Sequence, residues 1–169
     1  MRIIRGRYQR RQINAPTNLP VRPTTDMAKE SLFNIIDNHF DLEETEAMDL
    51  FAGTGNISYE LVSRGCPKVV AVDQDFGCIK FIRETALKLN MKELLTVRSD
   101  VYRFLEKHTM QYDLISPTRP TTASSTTNWC NSSSTATSCA KAACSFWNTT
   151  NTKTSKRIHT SWSSGTTAK

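Results

Sequence analysis

The chain has 169 residues, with 22 Lys plus Arg against 16 Asp plus Glu and a formal charge of +6. That length suits one domain, or one domain with an appendage, and leaves enough residues for a core. No apolar run approaches the roughly 18 residues a spanning helix needs, and no apolar segment backs the Arg-rich start, so neither a membrane protein nor a secreted one is expected, and a cytoplasmic location is.

Charge and composition divide the chain at residue 115. Residues 1–115 hold all 16 acidic groups and 16 of the 22 basic ones, so this part is formally neutral. Residues 116–169 carry Arg119, Lys141, Lys153, Lys156, Arg157 and Lys169, no acid, 26 Ser plus Thr, and one large aliphatic residue, Ile158. Without aliphatic side chains to bury, that stretch cannot offset its ordering entropy, and it is expected to be disordered and coreless. The five cysteines, Cys66, Cys78, Cys130, Cys139 and Cys144, show no CxxC or His-paired spacing. Reduced thiols and no metal site are the expectation.

Residues 1–25 carry Arg2, Arg5, Arg7, Arg10, Arg11 and Arg22 with no acid, ahead of an acidic body over 26–115. Ile3, Ile4, Tyr8 and Ile13 lie between the arginines and Gly6 marks a turn, a pattern that suits a short hairpin whose arginines meet phosphates. Charge alone equally allows a solvated, frayed terminus.

The body alternates between strand and helix. DMAKESLFNIIDNHF places Ala28, Leu32, Ile35, Ile36 and Phe40 at helical spacing, with Asp26 as cap. AMDLF is a short apolar strand running into AGTGN and the helix ISYELVSRG, which Gly65 closes. KVVAVD is a second strand, followed by the helix FGCIKFIRETALKLN. LLTVRSD is a third, followed by VYRFLEKH, and YDLI, residues 112–115, starts a fourth. Phe33, Phe51, Phe81 and Phe104 sit at core spacing, and His39 and His108 read as surface or capping residues. This alternation implies βαβ units and a parallel, doubly wound sheet.

Such sheets bind ligands beyond the carboxyl ends of their strands. Gly53 and Gly55 fall after the first strand, where they let a backbone approach a ligand at a helix N-terminus. Asp73 ends the second, where a carboxylate can accept both hydroxyls of a ribose, and Asp100 ends the third, within reach of an adenine amino group. Each signal alone also fits a tight turn or a helix cap. Their succession in strand order favours a ligand site. The missing third glycine of a dinucleotide fingerprint argues against a nicotinamide cofactor and for a nucleoside ligand without pyrophosphate.

MRIIRGRYQRRQI, RPTTDMAKESLFNI, DLFAGTGNISYELVSRG, VVAVDQD and the spacing to SDVYRFL and YDLI together resemble the bacterial 16S ribosomal RNA guanine-N2 methyltransferases, which use S-adenosylmethionine (SAM). The likeness covers 1–115. It implies a Rossmann-like methyltransferase sheet of order 3-2-1-4-5-7-6, of which 26–115 supplies strands 3, 2, 1 and 4. It also implies that Asp49, Ala52, Gly53 and Gly55 line the methionine side of SAM, that Asp73 holds the ribose, and that Asp100 and Val101 hold the adenine. The arginines of the arm, Arg2, Arg5, Arg7, Arg10, Arg11 and Arg22, would grip small-subunit ribosomal RNA.

The departure comes at the fourth strand. There the family has Asp-Pro-Pro-Tyr, whose carboxylate and backbone carbonyl hold the guanine amino group while Tyr stacks on the flipped base. This chain instead reads Ile115-Ser116-Pro117-Thr118-Arg119-Pro120-Thr121, with no carboxylate after Asp113.

A shifted reading frame is the expected account of that loss, with a natural low-complexity tail as the alternative. Ser-Pro-Thr-Arg-Pro-Thr can be encoded TCG CCG ACC CGC CCT AC-, and one T placed ahead regroups it to Phe-Ala-Asp-Pro-Pro-Tyr. With third bases chosen to suit, the same shift can regroup CSFWNT, together with the third base of Ala143, to Met-Phe-Val-Leu-Glu-His, and KRIHTSWSSGTTAK to Lys-Ala-His-Pro-His-Phe-Val-Glu-Leu-Arg-Asn-Tyr-Gly-Lys. Aliphatic and acidic residues return together. The basic residues of 116–169, and its Cys, Trp and His residues, are therefore assigned no function, and the chain as written is expected to be inactive.

Overall fold

The computed structural model describes residues 1–16, 19–21, 24–107, 110 and 112–117. Arg22, His108 and the Ser/Thr-rich stretch from Thr118 onward lie outside the described residues, as do the positions of the lost tetrad and the expectation of a disordered tail.

Four parallel strands, β1 (Glu46–Leu50), β2 (Lys68–Asp73), β3 (Leu94–Arg98) and β4 (Leu114–Pro117), form one sheet in the order β3-β2-β1-β4. This is the order the resemblance implies. β1 lies between β2 and β4, with Met48 opposite Val70 and Ile115. Its residues from Ala47 to Leu50 are all buried, which explains why AMDL reads as a continuous apolar run broken only by Asp49. β4 runs two residues further than YDLI suggests, because Ser116 pairs with Asp49 and Pro117 with Leu50. Proline has no N–H to give a ladder, and an edge or terminal position tolerates that.

The helices are α1 (Asp26–Ile36), α2 (Asn56–Ser63), α3 (Phe76–Leu89) and α4 (Val101–Lys107). α1 departs from expectation three times, first in ending at Ile36, which leaves Phe40 beyond the helix and exposed. Its cap is Thr25, whose Oγ1 accepts the Ala28 N–H at 3.3 Å, while Asp26 is the first helical residue and pairs with Arg2. Its buried stripe is Lys29, Phe33 and Ile36, and Ala28 is exposed. The stripe is rotated because a buried carboxylate gives Lys29 a partner inside the protein. Every residue of α2 is buried.

The N-terminal arm is a hairpin rather than a frayed end. Ile3 N–H donates to the Arg11 carbonyl at 3.0 Å, Ile13 N–H to the Met1 carbonyl at 3.0 Å, and Arg2 bridges Gln12 antiparallel. Ile3 and Ile13 join the main core with Phe33, Leu61, Val69 and Ile82 on one sheet face. On the other face Met48, Leu50, Val70 and Val72 pack with Val101 and Tyr112.

Candidate cofactor site

The expected site residues gather at the carboxyl ends of β1, β2 and β3. At the end of β1 the backbone turns through Phe51, at φ +58°, into Ala52-Gly53-Thr54-Gly55. Phe51 thus begins the loop instead of filling a strand position. A phenylalanine in the left-handed region costs free energy, and such outliers concentrate at ligand sites. Its ring meets Tyr102, from the start of α4, edge to face with centroids 6.1 Å apart, so the loops after β1 and β3 touch.

Gly53 and Gly55 also have positive φ, at +55° and +77°. A side chain on Gly55 is doubly excluded, since a Cβ would come within 2.9 Å of Ile82 and 3.0 Å of the Tyr59 ring. As cap of α2 Gly55 offers no side chain, and Asp49 fills that role from β1: its Oδ2 accepts the Ser58 N–H at 3.1 Å and the Ser58 hydroxyl at 2.6 Å. Asp49 thereby fixes the first turn of α2 beneath the loop. Ala52 donates its N–H to the Val72 carbonyl at 3.1 Å and accepts from Gly55 at 2.8 Å.

Asp73 joins the two halves of the site. Its Oδ2 accepts the Gly53 N–H at 2.8 Å and its Oδ1 the Asp75 N–H at 2.9 Å. A carboxylate has about four acceptor positions, so both oxygens keep capacity for further donors. The residue is 8% exposed, and a nearly buried carboxylate held by backbone amides suits the vicinal hydroxyls of a ribose. On this ground the residues present fit a nucleoside cofactor.

Asp100 caps α4, its Oδ1 accepting the Tyr102 and Arg103 N–H groups at 3.1 Å each. Val101 has its side chain in the core beside Val70 and Val72, which leaves only its backbone to face a ligand. The linker before α1 also crosses this edge: Val21 lies 3.7 Å from the Cβ position of Gly53, and Leu19 lies 3.0 Å from that of Gly77. Arg2, Arg5, Arg7, Arg10 and Arg11 are all exposed on the hairpin.

A buried polar cluster that the sequence reading missed ties the arm to this loop. The Glu60 carboxylate accepts the Ile4 N–H at 2.8 Å, the Arg5 N–H at 3.0 Å and Arg64 Nε at 3.0 Å. Lys29 Nζ donates to the Arg2 carbonyl at 2.5 Å and to Asn56 Oδ1 at 2.9 Å, and the Asn56 amide donates to the Thr24 carbonyl at 2.8 Å. Burial lowers the Lys29 pKa against the opposing pull of Glu60. The one sequence signal was the glutamate Glu60 set between Tyr59 and Leu61 in the helix ISYELVS. Cys66 and Cys78 are buried free thiols, and no cluster able to hold a metal occurs among the described residues.

A parallel β3-β2-β1-β4 sheet with a glycine loop and an acidic residue at consecutive strand ends defines a Rossmann-like fold of the methyltransferase type. Residues 1–162 match the family model "Conserved hypothetical protein 95", and the chain belongs to that family, which includes the ribosomal RNA small-subunit methyltransferases D. It is 41% identical over 104 residues to "Putative rRNA methyltransferase YlbH" of Bacillus subtilis, covering 61% of this chain and 53% of that protein. It is 29% identical over 115 residues to "Ribosomal RNA small subunit methyltransferase D" of Buchnera aphidicola, covering 68% and 58%. The solved structure "Putative methyltransferase yhhF from Escherichia coli" superimposes with a TM-score of 0.61 at 26% identity, over 68% of this chain and 61% of that one. The chain thus spans little more than half the length of the curated relatives it matches.

Proposed function

We propose that this chain represents a SAM-dependent methyltransferase acting on guanine N2 of small-subunit ribosomal RNA, and that as written it lacks the part that performs the transfer. The observation carrying the cofactor assignment is Asp73, nearly buried and holding the amides of both the Gly53 loop and the β2–α3 turn. The names of the relatives support the substrate.

In this reading Asp73 accepts the ribose hydroxyls, Gly53 and Gly55 bring backbone against the methionine part, and Asp100 Oδ2 with the Val101 backbone faces the adenine. Asp49 keeps α2 in register beneath them. The chemistry SAM supplies when bound is an electrophilic methyl on a sulfonium. Catalysis by the protein is then chiefly positioning: the acceptor nitrogen must be held in line with that methyl. The groups that would hold it belong to the tetrad replaced at Thr118, Arg119, Pro120 and Thr121. Methyl transfer from labelled SAM to 16S ribosomal RNA, assayed with this chain and with a frame-restored version, tests the proposal. Transfer by the restored version alone is expected; transfer by neither refutes the activity, and transfer by this chain refutes the need for the tetrad.

A second reading, a non-catalytic SAM- and RNA-binding remnant, is favoured by one fact: every proposed cofactor residue precedes Ser116. Calorimetry with S-adenosylhomocysteine separates it from a chain that binds nothing.

A further inference from the structure

The proposed cofactor residues stand on the loops after β1, β2 and β3, and those loops are joined in two different ways. Polar bonds tie the β1 loop to the end of β2: Ala52 N–H donates to the Val72 carbonyl at 3.1 Å and Gly53 N–H to Asp73 Oδ2 at 2.8 Å. The end of β3 is tied to β2 in the same manner, Ser99 N–H donating to the Asp73 carbonyl at 3.0 Å and Arg98 Nε to the Gln74 carbonyl at 3.4 Å. β2 lies between β1 and β3, yet the first and third loops also meet directly, through the rings of Phe51 and Tyr102.

Both rings are anchored to residues assigned to the cofactor. Tyr102 is 37% exposed, so its ring adds little to the core. Its backbone N–H donates at 3.1 Å to Asp100 Oδ1, on the carboxylate placed at the adenine side. Phe51 packs beside Met48, Leu50 and Val72 and immediately precedes Ala52 and Gly53, on the methionine side. Its φ of +58° strains an L side chain. Such a conformation persists only where its surroundings over-determine it, and an edge-to-face ring pair is a directional restraint of that kind. Were Phe51 to relax to an ordinary φ, the chain that follows would swing, drawing the Ala52 and Gly53 amides off Val72 and Asp73.

We propose that Tyr102 is a positioning residue: its ring braces Phe51 and so sets the spacing between the glycine loop and the Asp100–Val101 turn. That spacing tunes the cleft to a nucleoside carrying an amino-acid arm, rather than to a bare nucleoside. A ligand that spans both loops gains from their fixed separation, whereas one that touches only the ends of β2 and β3 does not. The inference rests on the cofactor reading above and adds the residue that joins its two halves.

Calorimetry with S-adenosylhomocysteine and ligand-observed NMR with adenosine, both on the full 169-residue chain, test it. Tyr102→Ala is expected to weaken S-adenosylhomocysteine binding about 3- to 10-fold, the worth of one edge-to-face pair. Adenosine binding should change by less than about twofold. Tyr102→Phe keeps the ring and should bind both ligands as the wild type does. In a Phe51→Leu background Tyr102→Ala should cost nothing further, since the pair is already broken. Lys107→Ala, at the exposed far end of α4, should alter neither affinity. Unchanged S-adenosylhomocysteine affinity in Tyr102→Ala overturns the brace, as does an equal loss of adenosine binding. A loss in Tyr102→Phe, a comparable loss in Lys107→Ala, or additive losses in the double variant overturn it too. Wild-type chain that binds neither ligand removes the cofactor reading and the brace together; binding of both without dependence on Tyr102 removes the brace alone.

Discussion

Lys29 and Glu60 face one another across the α1–α2 contact with Nζ and Oε2 3.2 Å apart, and neither side chain reaches solvent. Around them converge the arm backbone at Arg2, Ile4 and Arg5, the start of α2 at Asn56, and Arg64, whose guanidinium lies 4.5 Å above the Phe33 ring. Removing one partner of such a pair leaves the other charged and unsatisfied, which costs more than the pair itself contributes. Glu60→Ala is expected to lose about 3–5 kcal/mol in urea unfolding followed by circular dichroism. Lys29→Met with Glu60→Leu should recover part of that loss, with the Ile4 and Arg5 amides still unpaired. A loss below about 1 kcal/mol in the single variant would show that the cluster is not closed to water.

The two loop glycines should respond differently to alanine. At Gly55 the methyl meets both the left-handed backbone and the Ile82–Tyr59 wall, an expected cost of about 2–4 kcal/mol. At Gly53 the nearest atoms are those of Val21 at 3.7 Å, an ordinary contact, so only the backbone term of about 1–2 kcal/mol applies. Equal losses from the two substitutions would contradict the described loop.

Asp73→Asn replaces one acceptor oxygen with a donor, so either the Gly53 or the Asp75 amide loses its partner. About 1–3 kcal/mol of stability should be lost. If Asp73 also holds the ribose, calorimetry should show S-adenosylhomocysteine binding weakened at least about tenfold, or about 1.4 kcal/mol. Unchanged affinity would remove Asp73 from the cofactor site.

Burial pushes the Cys66 and Cys78 thiols up to about 12. At pH 8 only about one in 10⁴ is then thiolate, the reactive form. Mapping of iodoacetamide-labelled peptides should find both positions unmodified in the native chain and modified in urea. Rapid native labelling at either would count against the core as described.

The Arg7 hydrogen bond holds the Glu93 carboxyl below its ordinary value of 4.5. A lowered carboxylate stabilises the fold above its unfolded pKa and loses that contribution as the pH falls through its folded one. Both side chains keep solvent contact, at 53% and 27% exposure, so the effect is at most about 1 kcal/mol and is screened by salt. An NMR titration of Glu93 should give a midpoint below the ordinary carboxylate value in the wild type and a higher one in Arg7→Gln.

The strand–helix alternation and the positions of Gly53, Gly55, Asp73 and Asp100 were legible in the sequence because each depends on short spacing, an apolar run, its terminating residue and the helix that follows, whereas the sheet order came from the family resemblance. The surroundings of Lys29 were not, because its partners lie 27 positions away at Arg2 and at Asn56. Helical spacing therefore drew the buried stripe of α1 through Ala28 instead of Lys29. Phe51 and Arg10 escaped for a related reason: neither residue type signals a left-handed backbone, which here is imposed by a strand end and by a bulge in the hairpin, where Arg10 has φ +66°. Asp100 shows the opposite limit, since a capping oxygen and a ligand-facing one coexist on a single carboxylate and the pattern cannot choose between them.

β4 borders β1 on the side away from β2 and β3, with Ser116 beside Asp49 and Pro117 beside Leu50. The proposed cofactor residues follow β1, β2 and β3, with Asp49 of β1 paired directly to Ser116 of β4, whereas the departure from the resemblance begins just past Leu114 and Ile115. On the proposed function, recognition of the methyl donor and use of the methyl would be written in successive stretches of the chain. A lesion confined to the later stretch would then stop methyl transfer without removing the donor site, and genetic complementation alone would score such a chain as absent.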